Sequence, residues 1–494
     1  MFKFLVIFLM LSTLNKQSHA MQSDQCYPLI NRPSETDFVQ GAIITYNDEH
    51  LSKEDAIHAI MAIFESQKEN PPYVFLQKNQ GNDDEIKQLV NSKIEKLSIT
   101  LQSKNKMKKA LRFVTTSSAP SAWNQDFLHI NYGPGDGRSR LYFVKNYDDS
   151  KGKDNHTSAK SSFLQMLLEI NSAARKENLI NSPEVIFQEM PEIDVGLPHA
   201  GHYGGNTLTL PGGYCGIGLS KFNNEAEARA FSQKVCSLNS DSQSTLVVDT
   251  SWLSVSHIDE VIGVLQNLNP NKNECSEKVI LPSPDLAFQL LKSHPTERFI
   301  PLESVDYGFK GNEVASIRRI PILDKLCKNK FGADYDPAKC IVIKNEDFLN
   351  NLPKEFLEVN RLAKKKLLNI EKSLNQFYEN KKCLPKIEKV PVLFDGDILD
   401  GKLVGASTIL PNSINLVPLK DRILVPKSGN SIFDKNTSDL ITRSNLKIEF
   451  LNTFRANRLG GNAHCMIKAI RKCVPLIQDA ESVRDPQSTK KHKK

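Results

Sequence analysis

Helix-type and strand-type patterns alternate along almost the whole chain, and no Pro- or Ser-rich linker separates them. Apolar residues at helical spacing follow a capping serine, Ser52, and return in later stretches. Short β-prone runs stand between these stretches. Strands are predicted at residues 73–76, 99–101, 111–114, 244–248, 278–281, 414–419 and 446–451, and helices at 84–97, 158–176, 224–237 and 354–380. This alternation predicts an α/β protein with one long amphipathic helix.

The first twenty residues differ from the rest of the chain. Lys3 supplies a positive start, residues 4–14 are almost wholly apolar, and Ser18 to Ala20 form a small-x-small cleavage pattern. This pattern is typical of a secretory signal peptide at 1–20, and the alternative of a buried N-terminal element is weaker because nothing amphipathic is present. We therefore expect a secreted or periplasmic (extracellular) protein without a membrane-inserted segment.

Composition and charge exclude several classes of protein. Hydrophobic residues make up 39% and charged residues 24% of the 494 residues, which is ordinary for a soluble globular chain. The net charge of +7 is spread along the chain, and only residues 490–494 form a basic run. We expect that run to belong to a solvated, disordered tail at 481–494 and not to a nucleic-acid site.

Cysteine spacing and glycine motifs remove further alternatives. The nine cysteines include no CxxC pair, so a structural zinc site is not expected, and their odd number leaves at least one outside an intramolecular disulfide. Neither GxGxxG nor GxxxxGK[ST] occurs, so a dinucleotide fingerprint and a P-loop are both unsupported.

Two segments place carboxylates and a histidine beside turn-forming residues. The first, residues 121–126, follows a predicted strand and ends in Asp126. The second, residues 247–260, leads from a strand through small residues to His257 and Asp259. Such positions after strands are where α/β proteins build sites. Taken alone, however, a capping or surface aspartate and a helix N-cap by the preceding serine explain these residues nearly as well.

A third segment brings a thiol next to two glycines. Residues 460–465 read Gly-Gly-Asn-Ala-His-Cys, and the glycines permit a close approach of the backbone to another group. A buried structural thiol is the alternative for Cys465. Together the three segments offer two carboxylates, a histidine and a cysteine. Carboxylates match the N–H fork of a guanidinium cation, a thiolate can attack its carbon, and a histidine can move the protons.

At these segments the chain resembles the protein-arginine deiminases. Their catalytic domains carry a Trp-x-Gln-Asp segment, a Trp-Leu-Ser-Val-Gly-His-Val-Asp-Glu segment and a final His-Cys pair. The matching residues here are 123–126, 252–260 and 464–465, with Ser256 in place of Gly and Ile258 in place of Val. The resemblance covers roughly residues 113–475. It implies a five-bladed α/β propeller (the pentein fold) at 41–480, with the long helix inserted and an N-terminal extension at 21–40.

Carried over residue by residue, the resemblance implies a hydrolase that converts peptidyl-arginine to peptidyl-citrulline and ammonia. It makes Cys465 the nucleophile, His257 the acid/base, and Asp126 and Asp259 the guanidinium clamps. Trp123 would line the channel for the substrate, and Arg458 would face the cleft. Its implied partners are arginine-containing proteins or peptides.

The chain also departs from that family pattern. The family's calcium ligands include acids after the Trp-x-Gln-Asp segment, where this chain has Phe127 and His129. Only Gln125 is left as a vestige of a calcium site, so we expect no required cofactor. The family's arginine that binds the substrate backbone has no clear match. The Gly-Gly-Asn-x-His-Cys wording is also similar to agmatine deiminases, so an agmatine or free-arginine deiminase stays an alternative, as does an inactive scaffold that binds a partner.

Overall fold

The computed structural model describes twelve groups of residues along the chain, and structural statements refer to these. They are 35–36, 39–46, 51–79, 83–116, 128–132, 139–143, 186–189, 204–220, 222–236, 244–299, 328 and 344–471 without 459.

One sheet joins the two ends of the described chain. Strand β1 (Val39–Tyr46) pairs in parallel with β2 (Tyr73–Asn79), which pairs in parallel with β3 (Leu111–Thr116). On its other side β1 pairs antiparallel with β18 (Ile467–Arg471), the strand that directly follows Cys465. The domain boundary expected at 41 therefore falls inside β1.

Three helices connect the parallel strands of this sheet. They are α1 (Lys53–Ser66), α2 (Asp83–Glu95) and α3 (Leu101–Ala110). Helix α1 begins as its sequence predicts, because the Ser52 hydroxyl accepts the Asp55 N–H at 3.1 Å. Its apolar residues pack with the sheet in one hydrophobic core.

The remaining strands form four three-stranded sheets and one hairpin among the described residues. The sheets are β4 (Leu128–Tyr132), β5 (Ser139–Phe143) and β6 (Ile186–Glu189); β7 (Thr207–Leu210), β8 (Tyr214–Gly218) and β9 (Thr245–Val248); β10 (Gly263–Gln266), β11 (Glu277–Ser283) and β12 (Ile387–Pro391); and β15 (Val417–Pro418), β16 (Arg422–Pro426) and β17 (Lys447–Leu451). The hairpin is β13 (Phe394–Leu399) and β14 (Lys402–Thr408).

All five sheets of three or more described strands share one pairing pattern. In each, one pair of strands is antiparallel and the adjoining pair is parallel. The later helices are α4 (Glu225–Cys236), α5 (Pro284–Ser293), α6 (Asn345–Asn350), α7 (Lys354–Tyr378), α8 (Ser431–Thr442), α9 (Phe454–Arg458) and α10 (Ala463–Met466). The architecture is thus the mixed α/β fold that the sequence predicts, and no described sheet closes into a barrel.

Helix α7 is the long amphipathic helix. Its buried residues recur at helical spacing from Phe356 through Val359 and Ala363 to Leu374. They pack on the hairpin β13–β14 and on β9 and β11. Lys366 on the same helix forms an ion pair with Asp249 at 2.7 Å, so α7 also braces the loop that leaves β9. Within the described residues, no helix is both long enough and apolar enough to cross a membrane.

Two predicted strands are wrong. Residues 99–101 do not form a strand, because Thr100 caps helix α3 by accepting the Ser103 N–H at 3.2 Å. Of the run 414–419, only Val417–Pro418 is a strand. Its first part is a turn in which the Asn415 N–H bonds to the Asn412 carbonyl at 3.0 Å. The helix predicted at 158–176 lies outside the described residues.

Candidate active site

Cys465 lies at the junction of a glycine turn and a strand. Helix α10 is a single short turn, and its residues Ala463 to Met466 are all buried. Gly460 before it has a φ of +93°, which glycine adopts without strain. A Cβ at Gly460 would lie 3.0 Å from Cγ2 of Val255. The glycine therefore lets the segment that holds the thiol approach the segment 252–260, as its position in the sequence suggests.

The segment 252–260 is itself held by the core and by the hairpin. Trp252 is 1% exposed, and its ring meets the ring of Phe394 edge-on at 5.4 Å. Ala406 of β14 makes two backbone hydrogen bonds with this segment, to the Trp252 carbonyl at 2.9 Å and from the Ser254 N–H at 2.8 Å. The inserted hairpin thus fixes the backbone just before His257.

Ser256 turns the chain into the site. Its φ is +68°, in the left-handed region that a residue with a Cβ enters at a cost of about 1–2 kcal/mol. Its hydroxyl donates to the Leu253 carbonyl at 2.8 Å, which closes the turn. This conformation explains why a glycine suits the same position in the family motif.

A short 3₁₀ turn, Ile258–Glu260, carries Asp259 inward. His257 stands at the N-terminus of that turn, where its N–H donates to Oε1 of Glu260 at 2.9 Å. The expected cap by Ser256 is not formed, because its hydroxyl donates to the Leu253 carbonyl and His257 holds the N-cap position instead. His257 is 1% exposed and Asp259 is 2% exposed, so both side chains are enclosed by protein.

Asp259 and the thiol meet in the interior. Oδ2 of Asp259 lies 3.9 Å from Sγ of Cys465 and 2.8 Å from Nδ1 of His464. Oδ1 of the same carboxylate is buried and has no hydrogen-bond partner among the described residues. A buried oxygen of this kind costs about 1–3 kcal/mol unless a donor reaches it. Oδ2 of Asp259 is therefore engaged by the protein, and Oδ1 is a buried acceptor that lacks a donor among the described residues.

His464 lies between two carboxylates. Besides Asp259, Oε2 of Glu35 approaches Nε2 of His464 to 3.7 Å. Burial disfavours the charged imidazole, but the hydrogen bonds and charges of Asp259 and Glu35 outweigh it and raise the pKa of His464 above its ordinary value. The two carboxylates thus favour the protonated form of the imidazole next to Cys465.

Asn415 completes a buried cluster with Asp259, His464, Cys465 and Glu35. Its Nδ2 lies 3.4 Å from Sγ of Cys465 and 3.4 Å from the Asp259 carbonyl. Its Oδ1 accepts the Cys465 N–H at 3.2 Å, and its carbonyl accepts the His464 N–H at 3.1 Å. The turn at 412–415 therefore sets the position of the thiol.

The structure brings together part of the predicted site. Asp259 and Cys465 are in contact, and His257 is buried beside Asp259 in the chain. Trp123, Gln125 and Asp126 lie outside the described residues. Three residues of the cluster were missed by the sequence: Asn415, His464 and Glu35.

The structure places the backbone of Arg458 and His129 but does not describe their side chains. Arg458 is the last residue of helix α9, and its side chain is outside the part that the structure describes. His129 lies on β4, where it pairs with Tyr142 of β5. No group of three or more described histidine, cysteine, aspartate or glutamate side chains could hold a metal ion.

The two disulfides among the described residues join other cysteines. Cys215 is bonded to Cys236, and Cys275 is bonded to Cys383. Cys465 is the one described cysteine outside these two bonds, and it is a buried thiol.

Comparison with known proteins gives matches of two kinds. The C. jejuni agmatine deiminase structure is 11% identical, and the alignment covers 90% of this chain and 96% of that chain with a TM-score of 0.44. The agmatine deiminase of Enterococcus faecalis is 13% identical, with 90% and 97% covered and a TM-score of 0.46. A comparison with curated proteins finds no match.

A family model gives the second kind of match. The model "Protein-arginine deiminase (PAD)" matches residues 211–476, which is more than half of the chain. The matched region contains His257 and the cluster residues Asp259, Asn415, His464 and Cys465. Glu35 lies before it. The chain belongs to the protein-arginine deiminase family.

Proposed function

We propose that this protein hydrolyses the guanidinium group of an arginine side chain within a peptide or protein, giving peptidyl-citrulline and ammonia. The observation that carries the proposal is the buried carboxylate of Asp259, whose Oδ2 faces Cys465 and whose Oδ1 has no donor among the described residues. A guanidinium cation would supply N–H donors to that oxygen and would bring its carbon close to the sulfur.

The reaction would proceed through a covalent intermediate. The sulfur of Cys465 attacks the guanidinium carbon, a C–N bond breaks, and ammonia leaves with a proton from His257. A water molecule that His257 deprotonates then attacks the same carbon. The C–S bond breaks, the thiolate returns, and the ureido product is released. The Cys465 N–H bond to Asn415 holds the nucleophile in place during both steps.

The second clamp and the channel are proposed from the family resemblance. Asp126 would hold the other edge of the guanidinium, and Trp123 would contact the aliphatic stem. Two carboxylates facing one cation would bind it from both sides and keep its carbon electrophilic. Both residues lie outside the described part of the chain, so their roles rest on the motif at 123–126.

Peptidyl-arginine is favoured over a free amino acid on physical grounds. A free amino acid needs a charged partner for its carboxylate and another for its amino group, because burying either one alone is costly. A peptidyl substrate needs only an open channel and polar contacts to its backbone. The segments 123–126 and 252–260 are also similar to the protein-modifying enzymes.

Agmatine is the second candidate substrate. The observation that favours it is the motif at 460–465, which is shared in wording with agmatine deiminases. Agmatine lacks a carboxylate, so it requires one charged partner fewer than free arginine does.

One assay decides between these substrates. Ureido-product formation is measured side by side for a benzoylated arginine ester, free arginine and agmatine, with Cys465→Ala as the blank. We expect kcat/KM to be highest for the blocked arginine. A ratio in favour of agmatine or free arginine would replace the proposal by the alternative, and no turnover of any of the three would favour an inactive scaffold.

The same assay tests whether the reaction requires calcium. We propose that catalysis needs no calcium, because Phe127 and His129 stand where the family has oxygen ligands. Rates with a chelator and with added calcium should agree. A rise of several orders of magnitude on adding calcium would reveal a site that these two residues do not exclude.

We further propose that the five sheets are the blades of a five-bladed propeller and that the protein is exported. The repeated antiparallel and parallel pairing supports five equivalent units. The signal-peptide pattern at 1–20 and two disulfides support an oxidising compartment outside the cytoplasm. Detection of the mature N-terminus in the secreted fraction would test the second point.

A further inference from the structure

Glu35 reaches the active-site cluster from the segment before β1, outside the matched family region. Its side chain is only 12% exposed, although it comes from a segment whose sequence suggests an extension. One oxygen, Oε1, accepts the Thr209 N–H of β7 at 3.4 Å. The other oxygen, Oε2, lies 3.7 Å from Nε2 of His464. The carboxylate thus bonds to the sheet of β7, β8 and β9 and faces the histidine next to the thiol.

We propose that Glu35 is a positioning residue of the active site, which holds the imidazole of His464 against Asp259 and so keeps Oδ1 of Asp259 turned to the substrate. The inference rests on the proposed function. It makes the segment before β1 part of the catalytic unit.

The geometry explains how Glu35 would act without touching the substrate. His464 has a carboxylate at each ring nitrogen, Asp259 in a hydrogen bond of 2.8 Å at Nδ1 and Glu35 in an ion-pair contact of 3.7 Å at Nε2. If Glu35 were absent, the ring would be held at one nitrogen alone and could turn about its side-chain bonds. Asp259 would then lose the partner that fixes its Oδ2. The oxygen that receives the guanidinium would lose its orientation as well.

Charge gives a second consequence. Among the described residues, the titratable groups that face His464 are Asp259 on the 3₁₀ turn, Glu35 on the N-terminal segment and the adjacent thiol of Cys465. Two carboxylates favour the imidazolium over the neutral ring. A positive charge beside a cysteine favours the thiolate. Loss of one carboxylate should therefore make His464 release its proton at lower pH and weaken the site at the alkaline end.

The variant Glu35→Gln tests this with little change in shape. Glutamine keeps an oxygen for the Thr209 N–H and removes the charge. The matched control is Glu54→Gln, an exposed glutamate in the first turn of α1. The first measurement is the NMR titration of selectively labelled histidines, with the His464 signal assigned by its loss in His464→Asn. We expect the His464 midpoint to move to lower pH in Glu35→Gln and to stay in place in the control.

The second measurement is the pH profile of kcat/KM with the preferred substrate. The alkaline limb should move to lower pH in Glu35→Gln, with a loss of about tenfold or more at the alkaline end. Glu35→Asp, which keeps the charge on a shorter side chain, should fall between the two. A purely structural role would lower the rate equally at every pH.

Each outcome bears on the inference separately from the proposed function. If the wild-type protein turns over no guanidinium substrate, the proposed function fails, but the NMR titration still decides whether Glu35 acts on His464. An unchanged His464 titration in folded Glu35→Gln overturns the inference. If that variant does not fold, the titration of Glu35→Asp decides in the same way, and a midpoint equal to wild type is again negative.

Discussion

Replacing Asn415 with aspartate should place a negative charge against the Cys465 thiol without changing the size of the side chain. The amide of Asn415 donates to Sγ at 3.4 Å, and its Oδ1 accepts the Cys465 N–H at 3.2 Å. Asn415 is 2% exposed, so little water can screen the new charge. The variant therefore tests whether reactivity of the thiol depends on the dipole of this amide.

The distance sets the size of the effect. Two unit charges 3.4 Å apart interact by about 5 kcal/mol at an effective dielectric constant of about 20. The new carboxyl escapes part of this repulsion by binding a proton, because the two groups titrate as a coupled pair. A remaining penalty of about 3 kcal/mol on the thiolate would lower its population more than about 100-fold, since about 1.4 kcal/mol corresponds to a factor of ten.

Asn412→Asp is the matched control. Asn412 is equally buried at 2% and lies in the same turn, but it donates to the Glu260 carbonyl at 2.8 Å and accepts the Ile414 N–H at 3.2 Å. Both variants lose a buried amide donor, at a cost of about 1–3 kcal/mol in the free energy of unfolding. Only Asn415→Asp places the new carboxylate next to the sulfur of Cys465.

Alkylation of Cys465 by iodoacetamide at neutral pH measures the thiolate directly. The modified peptide is followed by mass spectrometry in the wild type and in both variants, after circular dichroism has shown that each is folded. We expect the rate to fall about 100-fold in Asn415→Asp and to stay within about threefold of wild type in Asn412→Asp. Equal rates in the two variants would refute the assigned role of Asn415.

Changes at three further positions have defined outcomes. Cys465→Ala should abolish deimination and keep the fold, as judged by activity and thermal melting, and retained activity would move the nucleophile to another thiol such as Cys473. Ser256→Gly should leave the free energy of unfolding near its wild-type value, because relief of about 1–2 kcal/mol of left-handed strain offsets the loss of a hydrogen bond of about 1 kcal/mol. Ser256→Val should lower the free energy of unfolding, measured in urea, by more than about 2 kcal/mol. Equal losses in the two variants would contradict the strain argument. The hydrogen bond from His58 holds the pKa of Glu449 at about 2, below its unfolded value, so wild type should exceed Glu449→Gln in stability above about pH 4.5 and lose that advantage as pH falls toward 2. Urea unfolding at pH 7, 5 and 3 checks this, and a gap that does not narrow would be negative.

Capping side chains and apolar spacing in the sequence predict where several of the helices lie. Ser52 predicts the start of α1, and the apolar spacing along α7 predicts nearly all of that helix. The same signals mislead where one residue type serves two structures. Thr100 is β-prone, but its side chain caps α3. The apolar run at 414–419 looks like a strand, but the asparagine within it bonds to Cys465 and ends the regular backbone.

The candidate site could be predicted only where reactive residues lie in a motif. Asp259 and Cys465 stand in such motifs, and the structure places them in contact. His464 had a usable signal, since it is a titratable residue next to the thiol in the chain. Glu35 had none, because its partners lie on β7 and α10, and only the tertiary fold brings them to it.

The composition of the buried cluster favours catalysis over a purely binding scaffold. Asp259, His464 and Asn415 are enclosed around one thiol, and replacing a buried ionic cluster by apolar side chains of similar volume is often neutral or stabilising. A scaffold that only bound a partner through its surface would gain by such a replacement. The cluster instead leaves Oδ1 of Asp259 without a donor among the described residues, although Asp259 is only 2% exposed and its carboxylate faces Sγ. A ligand with N–H donors next to the sulfur would remove the free-energy penalty of this unpaired oxygen. A guanidinium is the side-chain group that brings such donors together with a carbon that the sulfur can attack.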